Sequence, residues 1–213
     1  MPTEKIAGIA IPDTEIVRSA TALVRDTTDD LIYHHSRRVF LFGSLQALAL
    51  DIEPDPELLY AAAMFHDTGL VQPYRTDSQR FEIDGADEAR DFLATHDVAP
   101  ADADIVWTAI ALHTTPEVAY RMHPVVAATT AGVESDVLGL NLDNIPRRLR
   151  EEVVAAHPRP RFKQRILSAF NEGFKNRPET TFGTVNADVL VHFDPEFTRT
   201  DFVQVILDSD WPE

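Results

Sequence analysis

The chain has 213 residues, no cysteine, and 19 Lys and Arg against 35 Asp and Glu, for a formal charge of −16. That length suits one domain with a sizeable core. The missing cysteines exclude disulfides, thiolate metal ligands and a cysteine nucleophile. The charge argues against nucleic acid, whose binding needs Lys and Arg to displace counterions from phosphates. No apolar stretch nears the roughly 18 residues of a membrane span, so no membrane partner is expected. The first nine residues lack the basic and long apolar regions of a secretory signal, which gives a cytoplasmic expectation.

Apolar residues recur at helical spacing almost throughout, and strict alternation is scarce, so the fold class is all-α. A first helix is predicted over residues 13–26 with Asp13 as N-cap, and a second over 33–50. Pro56 suits the first turn of a third, which ends near Gly69. Residues 71–81 are polar and aperiodic and read as a loop beside the site. Further helices follow over 84–96, with Asp84 as the competing N-cap, then 100–113 and 123–138, with a short turn at 116–119. Residues 144–176 read as two helices broken by His157-Pro158-Arg159-Pro160, residues 178–183 as irregular, and 200–208 as a last helix. One domain covers 1–213, with a core of about 30–140 and a C-terminal helical extension over about 141–213. The Arg-rich segment 159–174 lies outside that core and suggests a homo-oligomer.

His66 and Asp67 stand inside the apolar run Ala61-Ala62-Ala63-Met64-Phe65-His66-Asp67-Thr68-Gly69-Leu70. Burying a carboxylate beside an imidazole is unfavourable unless both serve a cation as ligands. His96-Asp97 is an internal control: the same dipeptide ends an amphipathic stretch before Pro100, where a solvated helix terminus explains it. With no thiolate available, any metal is held by nitrogen and oxygen. A mixed His and Asp set suits zinc first, with iron(II), manganese or nickel compatible.

His35 is the next candidate, at the start of the second helix one turn before core residues, whereas His34 points roughly 100° away. Asp136, late in a helix among apolar neighbours, is unfavourable with the helix dipole if exposed but not as a metal ligand; on spacing alone Glu134 serves equally well.

Several segments together carry a resemblance. They are His35-Ser36 with Arg38-Val39-Phe40, Phe65-His66-Asp67-Thr68-Gly69, Phe81-Glu82-Ile83-Asp84-Gly85-Ala86-Asp87, Leu112-His113-Thr114, and Gly132 to Gly139. In this order they resemble the HD-domain superfamily, and within it the cyanamide hydratase-like family, over about residues 30–195. The stretch from Arg177 through Asp188 to Phe193 shares the likeness. The resemblance implies an HD-domain helical bundle in which His35, His66, Asp67 and Asp136 bind one divalent ion. It favours a mononuclear site, because Glu82, Gly85 and Asp87 stand where two-metal relatives carry extra histidines; His113 and His123 remain as further donors.

The activity so implied is hydration of a small nitrile-like molecule, cyanamide to urea, by metal-activated water. His113, Glu82 and Asp87 are the candidate acids or bases, each with a structural alternative: a helix-end histidine, a helix cap, an acidic first-turn residue. Thr68 has a local carbonyl as its alternative partner, and Phe81, Phe92 and Trp107 either wall a pocket or fill the core. Two other readings compete. An HD-type phosphohydrolase would need arginines aimed at a phosphate, with Arg37, Arg38, Arg75, Arg80 and Arg121 available. A helical binding module with a structural metal would have a closed coordination shell.

Overall fold

Thr14, Asp29 and Asp55 each precede a helix and accept a backbone N–H from its first turn, at 3.3, 3.0 and 3.0 Å. Each side chain thereby satisfies a donor that the helix itself leaves unpaired. The helices they start are α1 (Glu15–Thr27), α2 (Asp30–Leu50) and α3 (Pro56–Phe65). In the computed structural model, which describes residues 4–211, Asp13 is not the cap of α1. It pairs instead with Arg18 at 2.5 Å. The Asp29 cap starts α2 three residues ahead of Tyr33, so His35 lies in its second turn.

The remaining helices are α4 (Phe81–Ala94), α5 (Pro100–Leu112), α6 (Pro124–Val133), α7 (Arg147–Ala156), α8 (Phe162–Phe174), α9 (Asn186–Phe193) and α10 (Phe202–Leu207). One antiparallel ladder, Lys5–Ile6 with Ile9–Ala10, is the only sheet among the described residues, and the architecture is all-α. No helix among the described residues is long and apolar enough to cross a membrane. The exposed α10 begins at an Asp201 cap and buries none of its residues.

The long helix α2 runs through the middle, packed on α3 and most extensively on α6. Its crossing with α6 depends on Gly132, where a Cβ would lie 2.2 Å from the Val39 carbonyl oxygen and 2.9 Å from Gly43 N. The two backbones therefore touch, and the residues just beyond Gly132 are delivered to the α2 surface that carries His35. There α6 passes into a π-helical stretch, Glu134–Leu138, which ends at Gly139 with a positive φ of 71°.

The third helix stops at Phe65, four residues earlier than its pattern suggests, and Thr68–Leu70 forms a 3-10 turn. Gly69 explains the stop: a Cβ there would sit 2.0 Å from the Phe81 carbonyl oxygen, so the chain must turn where α4 arrives. The fourth helix starts at Phe81 rather than behind an Asp84 cap. Asp84 is buried inside it and pairs with Arg177, while accepting from Thr76 Oγ1 at 2.8 Å. The same guanidinium donates to the carbonyls of Gln79 (2.7 Å), Gly69 (2.9 Å) and Gly173 (3.1 Å).

Helix α8 is part of this body. Phe162, Ile166 and Phe174 join Ile32, Leu70 and Phe81 in a second core cluster, so one face of the segment expected to lie outside the bundle packs against it. Residues 178–181 form a 3-10 turn, and α9, absent from the sequence reading, follows it. Arg177 thus joins the loop before α4, the turn after His66-Asp67 and the end of α8. Arg177→Leu is expected to lower the unfolding free energy by about 3–5 kcal/mol, because it leaves the Asp84 carboxylate buried and unpaired. Urea denaturation reads this directly, and a loss below about 1 kcal/mol, typical of an exposed pair, contradicts the assignment.

Candidate metal centre

Two helix ends and one helix turn converge on a single buried point. His35 projects from the second turn of α2, His66 is the C-cap of α3 with Asp67 next, and His113 is the C-cap of α5. All four side chains are buried. His35 Nε2 lies 3.1 Å from His66 Nε2, and Asp67 Oδ2 lies 3.5 and 3.3 Å from those two atoms.

The far side of each ring fixes what these atoms are. His66 Nδ1 is 2.8 Å from the Ala63 carbonyl oxygen, which can only accept, so Nδ1 carries the proton and Nε2 presents a lone pair. His35 Nδ1 is 2.7 Å from Asp136 Oδ2, with the same result. Both Asp67 oxygens are buried and accept no hydrogen bond. Three buried acceptors therefore face one another with no donor between them, an unfavourable arrangement that a divalent cation converts into a ligand set. Among the described residues, these three form the group able to hold a metal ion, and two imidazoles with one carboxylate are a donor set of catalytic type.

The charges agree. Burial acts to raise the Asp67 carboxyl, but the neighbouring His66 and His113 imidazoles outweigh it and hold it well below the usual carboxylate range. Burial pushes His35 down, which keeps it neutral as a ligand must be. His66 is pushed up; burial opposes this, and the Asp67 carboxylate prevails.

Asp136 stands elsewhere than in the expected four-ligand set. Its Oδ2 accepts from His35 Nδ1, Arg38 grips both oxygens at 2.8 and 2.9 Å, and Arg159 Nε lies 3.2 Å from Oδ1. The π-helical stretch turns its carboxylate to the Nδ1 side of His35, opposite the metal-facing nitrogen. It stays ionised, because the His35 hydrogen bond and the Arg38 guanidinium overcome burial and hold its pKa far below normal. A carboxylate behind a ligating imidazole fixes ring orientation and raises ligand basicity. Glu134, the alternative on spacing, accepts from Tyr120 Oη at 2.5 Å and is elsewhere.

His113 does reach the cluster. Its Nδ1 is 2.6 Å from the Ile110 carbonyl oxygen, leaving the Nε2 lone pair facing Asp67 Oδ1 at 3.7 Å, and its ring centroid is 4.9 Å from that of His66. Glu82 is buried nearby, and its Oε1 accepts from Thr114 Oγ1 (2.5 Å), Arg80 Nη2 (2.9 Å) and Asn186 Nδ2 (3.0 Å). Burial would raise its pKa, but the Arg80 hydrogen bonds and the adjacent His113 lower it, so Glu82 is anionic. Asn186, on the unforeseen α9, escaped the sequence reading; its one signal was its place in the stretch between Arg177 and Phe193.

Asp87 is corrected as a site residue. It lies about 140° around α4 from Glu82 and accepts from Trp107 Nε1 at 2.8 Å. Thr68 donates to the Phe65 carbonyl at 2.8 Å, the local alternative. His34 bonds His157, which burial and the Arg37 guanidinium push down to about 3. His123 caps α6 and is exposed. The control pair behaves as a helix end: His96 Nδ1 bonds the Phe92 carbonyl at 2.9 Å and Asp97 is exposed. Phe81 borders the site, 5.6 Å from His113, and so does Phe162 of α8, whose ring centroid is 5.2 Å from that of His35, while Phe92 packs on Phe65.

Because Asp136 acts through His35, Asp136→Asn is expected to weaken metal binding by about 10- to 100-fold without abolishing it. Asp67→Ala should abolish it. Chelator competition measures both, and an unchanged affinity in Asp136→Asn contradicts the orienting role.

A family model for the HD domain matches residues 32–157, more than half of the chain, from the first turn of α2 to the end of α7. No curated protein matches the sequence. A buried group of metal-ligand atoms lies within that span, and the chain belongs to the HD-domain family, whose proteins are typically metal-dependent hydrolases.

Proposed function

We propose that this protein is a metal-dependent hydratase that adds water to a small, neutral, nitrile-like substrate, with cyanamide to urea as the reaction and zinc as the first choice of metal. His35, His66 and Asp67 would hold the ion. When bound, such an ion polarises an electrophile and lowers the pKa of water from 15.7 toward about 7.

The observation that carries this reading is the state of the arginines around the centre. Arg38 is locked on Asp136, Arg80 on Glu82 and Arg177 on Asp84, while Arg37 donates to Tyr60 Oη. Recognition of a phosphate draws on guanidinium or ammonium groups free to meet it, and the side chains here suit an uncharged substrate better.

The chain's own groups then divide the work. His113 holds a free lone pair on Nε2 beside Asp67, so it can take a proton from the attacking water and return it to the substrate nitrogen. Water oxygen bonds to the nitrile carbon, the C≡N π bond breaks, and the two water protons end on nitrogen after tautomerisation to urea. Glu82 has its Oε1 filled three times, but Oε2 receives only a 3.4 Å contact from Arg80 Nε. That oxygen is the acceptor in reserve for the substrate's N–H group. Three protein ligands leave a metal position open, which favours catalysis over a purely structural ion.

One feature favours a second reading, hydrolysis of a phosphomonoester: Arg80 is 34% exposed and can leave Glu82 for an incoming phosphate. An assay with defined metal, offering cyanamide, simple nitriles and a panel of phosphomonoesters, separates the two. Urea release is expected; phosphate release without urea or amide overturns the hydratase in favour of the hydrolase. His113→Ala should lower kcat by about 10²- to 10⁴-fold while retaining the metal. Unimpaired turnover in that variant removes His113 from the mechanism.

A further inference from the structure

A cavity of about 570 Å³ opens beside α7, bordered by Asp136 and so lying on the far side of His35 from the metal-facing nitrogen. That volume is typical of sites for small molecules. Its wall has two chemistries. Phe42, Leu142 and Val154 make one part apolar, and Arg147, Arg150 and Arg159 bring three guanidinium groups to the other. In a chain with a formal charge of −16, this convergence of cations runs against the composition.

The three arginines are not equivalent. Arg159 is held in place, with Nε 3.2 Å from Asp136 Oδ1 and its guanidinium 4.5 Å from the Phe162 ring centroid. Arg147 pairs with Glu151 at 2.7 Å, but both side chains are exposed, so water and salt screen the pair and a ligand can compete for it. Arg150 is different. Its Nε, like that of Arg159, is buried with no hydrogen-bond partner, but no carboxylate among the described residues lies within ion-pair range of Arg150. A buried, unsatisfied guanidinium N–H at a cavity wall calls for an acceptor that the chain does not supply.

The two carboxylates on the wall do not fill that need. Asp136 is neutralised by Arg38 and Arg159, and Glu151 by Arg147. An outside acceptor must therefore carry its own negative charge. The planar fork of a guanidinium matches two oxygens of one oxyanion, and the apolar part of the wall suits a short carbon body rather than a bare ion.

We propose that this cavity binds a small organic anion, with its oxyanion head on Arg150, Arg147 and Arg159 beside it, and a short aliphatic body against Phe42, Leu142 and Val154. Carboxylate and phosphate heads share this chemistry. The site is separate from the metal centre and does not depend on which reaction the metal supports.

Isothermal titration of the metal-loaded full chain with butyl phosphate, with hexanoate and with inorganic phosphate tests the proposal. Saturable one-to-one binding of at least one of the two organic anions is expected, tighter than inorganic phosphate; whether butyl phosphate or hexanoate is preferred identifies the head group. Arg150→Gln should weaken it at least tenfold. Ala155→Trp, made at an exposed residue that also lines the cavity, should block it by filling the space. If Arg150→Gln fails to fold, as judged by circular dichroism, Ala155→Trp decides alone. Absence of saturable binding by either organic anion overturns the proposal, as does binding that survives Ala155→Trp or a folded Arg150→Gln.

Discussion

The structure depends on an arrangement that proteins ordinarily avoid: three buried acceptor atoms turned toward one another with no donor among them. His35 and His66 have spent their N–H groups on Asp136 and on the Ala63 carbonyl, and Asp67 receives no hydrogen bond. Left alone, these atoms oppose folding, since a buried polar group without a partner is destabilising and a buried charge more so. A cation reverses the sign of that contribution. The fold around the point reads as the means of assembling it, for α2 supplies one ligand, the end of α3 two more, and the end of α5 the neighbouring His113.

Two close backbone approaches make the assembly possible. Gly132 lets α6 meet α2, which places Asp136 behind His35; Gly69 lets the chain leave His66-Asp67 at once and receive the start of α4, which brings Glu82 in. In both cases the space a side chain would take is already occupied by a backbone oxygen, so the requirement is steric. Arg177 then fastens the same region from the distant end of α8, through Asp84 and three carbonyls. The C-terminal part of the chain is therefore built into the surroundings of the site, through Phe162 against His35 and Asn186 on Glu82.

Much of this was readable from local pattern. The helices announced themselves through apolar periodicity, and His66-Asp67 through the contradiction between ionisable side chains and an apolar run. The same dipeptide at His96-Asp97, correctly discounted on its flanks, shows that context rather than the motif carried the information. What could not be read were choices that tertiary partners make. Asp84 looked like a cap because nothing nearby in sequence reveals Arg177, 93 residues on. Asp87 looked catalytic because Trp107 Nε1 was out of sight. Asp136 was expected as a fourth ligand of the ion; its hydrogen bond to His35 Nδ1 could not be foreseen, since the π-helical stretch after α6 leaves no mark in the periodicity of so short a segment. Asn186 lies on a helix of eight residues that the pattern did not disclose.

The central claim is that one cation sits between His35 Nε2, His66 Nε2 and Asp67 Oδ2, with Asp136 acting from behind. Anomalous diffraction from crystals grown with zinc tests it most directly. The account predicts a single strong peak within bonding distance of those three atoms and Asp136 still joined to His35 Nδ1 and Arg38. A peak ligated by Asp136, or no peak at this position with metal in excess, would contradict it.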